Sequence, residues 1–143
     1  MPVTIAWIDG CWGDPDDLQL PLSDRGLQLA DGLFETVLVR NGQPQLLQEH
    51  LQRWSDSAAL LGMDVPPQRS TLQPLILAAI QRCALAQSDG ALRLNWSRGS
   101  SPQRGIGLPA SGHHRFWFTL QPCTPTFSPV NTITSSHERR NAS

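Results

Sequence analysis

Two short turn signals constrain this chain more than any other feature. Asp9-Gly10 follows the apolar, β-branched run Val3–Ile8, and Asn41-Gly42 follows Leu33–Arg40. Each dipeptide accepts the positive φ that a tight hairpin demands, so each run turns back on itself. The returns are expected at Cys11-Trp12 and at Pro44–Leu47, with Gly13–Pro21 as an acidic, proline-containing loop. A chain that begins with two hairpins has committed its first strands to antiparallel pairing.

Helical periodicity takes over next. Leu47, Leu51, Trp54, Ala58 and Leu61 recur at spacings of four, three, four and three, which predicts a helix over Gln48–Leu61 capped by Gly62. Pro66-Pro67 interrupts the chain. Ser70 then stands as the expected N-cap of a second helix, whose stripe is Leu72, Leu75, Ile76, Ala79, Ile80 and Cys83. Ala91–Trp96 and Arg115–Leu120 alternate as strands, separated by a Gly/Ser/Pro-rich stretch, Ser97–Gly112, expected as loop. With no strand–helix–strand alternation, the expected fold is α+β: a small antiparallel β-sheet with two α-helices packed on one face. The domain is expected to span 1–121. Residues 122–143 are polar and rich in Pro, Ser and Thr, with a short strand candidate at Val130–Thr134, and read as a linker or the start of a further domain.

Composition excludes several functions. Net charge is −1 and the arginines are dispersed, so there is no basic stripe for nucleic acid. The longest apolar run, Leu75–Ile80, is far too short to span a bilayer, and MPVTIAWIDG lacks the charged and apolar regions of a signal peptide, so no secretory leader is expected. Cys11, Cys83 and Cys123 are odd in number and widely spaced, which argues against a disulfide framework and for a cytoplasmic setting. His113-His114 point to opposite sides of a strand, a poor metal pair, so no metal site is expected. The glycines at 99, 105 and 107 do not form a nucleotide-binding fingerprint.

An ordered set of motifs carries a resemblance. Ser23-Asp24-Arg25-Gly26, Ala30-Asp31-Gly32-Leu33-Phe34-Glu35-Thr36, Gly42, His50-Leu51-Gln52-Arg53 with Ser57-Ala58, Leu92-Arg93-Leu94 and Ser97-Arg98-Gly99 follow one another at spacings that resemble the class IV (fold-type IV) enzymes dependent on pyridoxal 5′-phosphate, or PLP. That group includes aminodeoxychorismate lyase and the D-amino-acid and branched-chain aminotransferases. The lyase branch is the nearest match in form, although Ala30 stands where the family usually has Gly.

The resemblance implies a function and site residues. Arg53 of the HxxR motif would grip the cofactor phosphate, for which a planar guanidinium fork is well shaped. Arg93 and Arg98, with Arg104 in the following loop, would meet an anionic amino substrate. On residues alone, Arg93 is equally a solvent-side strand residue, and Arg98 and Arg104 read more simply as solvated loop charges. Asp24-Arg25 and Asp31-Gly32 read as turn-shaping; Glu35 and Thr36 alternate sides of their strand, with Thr36 either toward the site or, more simply, in ordinary strand packing. The implied parent activity is conversion of 4-amino-4-deoxychorismate to 4-aminobenzoate and pyruvate in folate biosynthesis. A class IV aminotransferase is the alternative, and a homodimer the implied assembly.

One absence cuts across that implication. All eleven basic residues are Arg, and the chain has no Lys. A PLP enzyme holds its cofactor as a Schiff base to a lysine amine. In the family that Lys, a Glu facing the pyridine nitrogen and further phosphate contacts follow the interdomain linker. The chain is therefore expected to be an N-terminal portion, half of a split protein, or a non-catalytic pairing module, with no catalytic residue of its own.

Overall fold

The structure is a computed structural model describing residues 1–102, 105–109 and 113–136. Its elements, in order, are β1 (Ile5–Ile8), β2 (Cys11–Gly13), α1 (Arg25–Leu29), β3 (Gly32–Arg40), β4 (Gln43–Pro44), α2 (Leu47–Leu60), α3 (Arg69–Arg82), β5 (Gly90–Ser100) and β6 (His113–Pro122). The six strands form one sheet in the order β2-β1-β6-β5-β3-β4, and every described pairing is antiparallel.

The hairpin signals act as expected. Asp9 and Gly10 take φ values of 50° and 85°, and Asn41 and Gly42 take 47° and 72°. Two consecutive positive φ angles match the right-handed twist of the flanking strands. β4 is shorter than the expected Pro44–Leu47 return, because the chain turns at Leu46 directly into α2.

α2 buries Leu51, Trp54 and Ala58 against the sheet. It ends in a Schellman motif: Gly62 is left-handed, its N–H reaches Ala59, and the Met63 N–H reaches Ala58 at 2.9 Å. α3 ends in the same way around Ala84, a non-glycine residue at φ 55°. Its N-cap is Gln68 rather than Ser70, so the helix starts earlier than expected. Pro74 lies in its second turn, where it removes one backbone bond.

The core lies between these helices and one face of the sheet. Val37 and Val39 of β3, Leu92 and Leu94 of β5, and Phe116, Phe118 and Leu120 of β6 meet Trp54, Leu72, Ile76 and Ile80. The opposite face carries Phe34, Thr36, Arg93, Asn95, Trp117 and Thr119 in register across β3, β5 and β6.

Three expectations are corrected. The segment taken as turns before β3 contains α1, which starts because the Asp24 carboxylate caps the Leu27 N–H. β5 runs on to Ser100, so Ser97 and Arg98 are strand residues rather than loop. The Val130–Thr134 strand does not form; residues 123–135 carry no helix or strand.

Candidate functional site

β3 and α2 together build one candidate site, on the helix-covered side of the sheet. Alternation along β3 turns Glu35 toward the helices and its neighbours Phe34 and Thr36 away. The Glu35 side chain is only 6% exposed, and it meets α2 where His50 and Arg53 lie one turn apart. Its carboxylate takes a fork from Arg53: Nε donates to Oε1 at 2.8 Å and Nη2 to Oε2 at 2.5 Å. His50 Nδ1 lies 2.7 Å from the same Oε2. Burial pushes the Glu35 carboxyl up, but the hydrogen bonds and charges of Arg53 and His50 outweigh it and hold the group below its ordinary value. The carboxylate is therefore ionised, has no proton to give, and makes His50 Nδ1 the donor.

Arg53 is anchored at one end only. Its side chain is 67% exposed, and Glu35 takes its Nε–Nη2 edge. Nη1 has no hydrogen-bond partner among the described residues. What remains is an outward-facing, fixed cationic edge of the kind that binds phosphate oxygens.

The opposite, open face of the sheet carries a separate groove, and no contact among the described residues joins it to Arg53. Arg93 stacks over the Phe34 ring with its guanidinium carbon 3.8 Å from the centroid, and its Nε donates to Asn95 Oδ1 at 3.1 Å. Asn95 is held in turn by the Trp117 carbonyl at 3.4 Å. Phe34, Arg93, Asn95 and Trp117 line a groove of about 280 Å³. Arg93 thus offers its remaining donors beside two aromatic rings, and the groove suits a small organic anion.

Arg98 occupies a different place from the one expected. It is neither solvated nor turned toward a ligand groove; it is buried in a charge cluster. Its Nε meets both oxygens of Asp31 at 3.0 Å, Nη1 donates to the Gly62 carbonyl at 3.1 Å, and Nη2 to the Leu61 carbonyl at 2.9 Å. Arg25 joins through Nε to Asp31 at 2.7 Å. Burial raises the Asp31 carboxyl, and the bonds from Arg25 and Arg98 overcome that and lower it. This cluster ties α1, β5 and the α2–α3 connection together, joining the SDRG and ADG segments to SRG, which is far from them in sequence. Arg104 lies outside the described residues. Among the described residues no group of His, Cys, Asp and Glu is placed to hold a metal ion.

Comparison with known proteins decides the family. Residues 32–143 match the model of amino-transferase class IV. The chain belongs to the class IV aminotransferase family. It is 39% identical over 97 residues to a bifunctional aminodeoxychorismate lyase / D-amino acid transaminase of Mycobacterium tuberculosis, covering 66% of this chain and 33% of that protein. Among solved structures, a hypothetical aminotransferase from M. tuberculosis in PLP-bound form superposes with a TM-score of 0.68 at 30% identity, covering 83% of this chain and 40% of that one. The 4-amino-4-deoxychorismate lyase of Pseudomonas aeruginosa superposes with a TM-score of 0.60 at 33% identity, covering 87% and 41%. The chain spans roughly a quarter to a third of the length of the first curated relatives it matches.

Class IV aminotransferases depend on PLP, and the residues present fit one end of that cofactor. The outward edge of Arg53 suits its phosphate. No residue of this chain suits its aldehyde, since none of the 143 is Lys. Sequence reasoning singled out Arg53 and Arg93 and passed over Glu35, the partner of Arg53, whose burial was the missing signal: an acidic residue on the inward phase of an apolar strand needs a cationic partner.

Proposed function

We propose that this chain supplies the phosphate-gripping wall, and part of the substrate wall, of a PLP-dependent class IV enzyme acting on an anionic amino substrate. The first reading is a lyase that converts 4-amino-4-deoxychorismate to 4-aminobenzoate and pyruvate. The observation that carries the proposal is the Arg53 guanidinium, locked on one edge by Glu35 and open on the other. The resemblance of the SDRG and DGLFET segments to the lyase branch supports the choice of reaction, as do two similar proteins bearing the lyase name. Transamination of a D-amino acid is the second reading, favoured by the relative whose name joins both activities and by the D-alanine aminotransferases.

Each residue has a defined task in this reading. Arg53 neutralises the cofactor phosphate and fixes its position. Arg93 binds a substrate carboxylate, and Phe34 and Trp117 give that carboxylate an apolar surround in which the ion pair is less screened. When bound, PLP supplies an electron sink for the carbon that bears the substrate amine. The lysine that would hold the aldehyde must come from polypeptide beyond these 143 residues. We place the assembly in the cytoplasm as a homodimer; three free cysteines suit a reducing compartment.

The test uses pyridoxine 5′-phosphate, which carries the phosphate but no aldehyde for stray amines to capture. Calorimetry is expected to show binding to the chain that Arg53→Ala weakens by about tenfold or more. Equal affinity in the two proteins overturns the phosphate reading. In the assembled enzyme, release of 4-aminobenzoate separates the lyase from a transaminase, which instead makes pyruvate from D-alanine only when a 2-oxo acid is present.

A further inference from the structure

The geometry points to Glu35 as a positioning residue that sets which edge of Arg53 faces the phosphate and which nitrogen of His50 carries the proton. This rests on the phosphate reading of Arg53 and goes one residue further, to a group that touches no ligand itself.

The argument begins with the side chain it restrains. A long, exposed arginine on a helix surface samples many rotamers, and each must be lost when an anion binds. Arg53 does not have that freedom. Its Nε–H and one Nη2–H both end on the Glu35 carboxylate, at 2.8 and 2.5 Å, so the guanidinium plane is fixed by two parallel bonds. An arginine has five N–H donors in one rigid fork. With the Nε–Nη2 edge consumed, the Nη1 pair and the outer Nη2–H are the donors left, on the edge turned away from the Glu35 carboxylate. The ordering is complete before any ligand arrives.

Glu35 is itself well held. It extends from the middle of β3, where it pairs with Leu94 of β5, and its side chain is buried. A buried carboxylate mounted on a hydrogen-bonded strand moves less than one on a helix surface. The Glu35 carboxylate faces both Arg53 and His50, and its Oε2 is shared between them.

The same carboxylate fixes His50. Because ionised Glu35 only accepts, His50 Nδ1 donates, and in the neutral ring Nε2 is left with its lone pair. The 3.3 Å approach between Arg53 Nη2 and His50 Nδ1 is then a contact between two donors drawn to one oxygen, not a bond between them.

The experiment uses the whole chain with pyridoxine 5′-phosphate as probe. Glu35→Gln keeps the shape and removes the charge. It is expected to weaken binding by about tenfold, and to have no further effect when Arg53 is already Ala. Glu35→Asp, with its shorter reach, is expected to fall between. Nitrogen-15 NMR supplies a readout that a purely structural role would not move: the neutral His50 ring of the wild-type chain should be protonated at Nδ1, and the Arg53 Nε–H signal should broaden in Glu35→Gln. If Arg53→Ala abolishes binding while Glu35→Gln leaves it intact, the positioning role is overturned and the phosphate reading stands. If Arg53→Ala has no effect, both fall. A wild-type His50 protonated at Nε2 overturns the inference without any variant.

Discussion

Asp31 and Arg98 are 67 residues apart in sequence, yet the Arg98 Nε lies 3.0 Å from each Asp31 oxygen, and the rest of that guanidinium ends on the carbonyls of Leu61 and Gly62. One buried arginine thereby closes the last turn of α2 onto β5. Removing it leaves Asp31 partly unpaired and two carbonyls without donors. Arg98→Ala is expected to cost about 3 kcal/mol of unfolding free energy, read from urea denaturation. The same substitution in an Asp31→Asn background should cost clearly less, because the two residues share one network.

Acid should expose this network. Asp31 and Glu35 both hold their protons more weakly when folded, so the unfolded chain takes up protons first as pH falls. Their contribution to stability is complete above their ordinary values of 3.8 and 4.5, and is lost as pH falls below them toward the lowered folded values. The urea midpoint should therefore hold steady from pH 7 to about pH 5 and then drop. Asp31→Asn should remove part of that drop; an unchanged slope would contradict the assignment.

Gly99 leaves no room for a side chain. Its φ is 82°, and an added Cβ would fall 1.7 Å from the His113 carbonyl oxygen, beside the register shift between β5 and β6. Gly99→Ala is expected to destabilise the chain by about 3 kcal/mol or to prevent folding, measurable by thermal melting.

Ala30 and Ala84 present the reverse case. Both are left-handed, at φ 53° and 55°, at the ends of α1 and α3. Ala30→Gly and Ala84→Gly are each expected to gain up to about 1 kcal/mol, since glycine accepts that conformation without the Cβ penalty. A loss of stability in both would refute the strain.

Thiol reactivity should sort the cysteines. Burial pushes the Cys83 thiol up to about 11, and its Sγ donates to the Leu120 carbonyl, whereas Cys11 is exposed. At pH 8 a thiol reagent is expected to modify Cys11 quickly and Cys83 only after denaturant is added.

Local chemistry was readable in the sequence. Asp9-Gly10 and Asn41-Gly42 carry their turn type in the residues themselves, and the stripe from Leu51 to Ala58 marks its own buried side. The charge cluster was not readable, because Asp31 looks like any turn aspartate until β5 arrives beside it. α1 was hidden for a different reason: five residues offer too little periodicity to detect. Arg53 emerged from a motif, but its anchor did not, since nothing in the string LFETVLVR states which phase faces the helices.

That phase has an evolutionary corollary. Phe34 borders the groove on one surface of the ribbon while Glu35 secures the anion grip on the other. Adding or deleting a single amino acid upstream within β3 would swap the two, ending both capacities in one event. Length variation in this lineage should therefore accumulate in the connections, with the nine-residue ribbon itself kept free of indels.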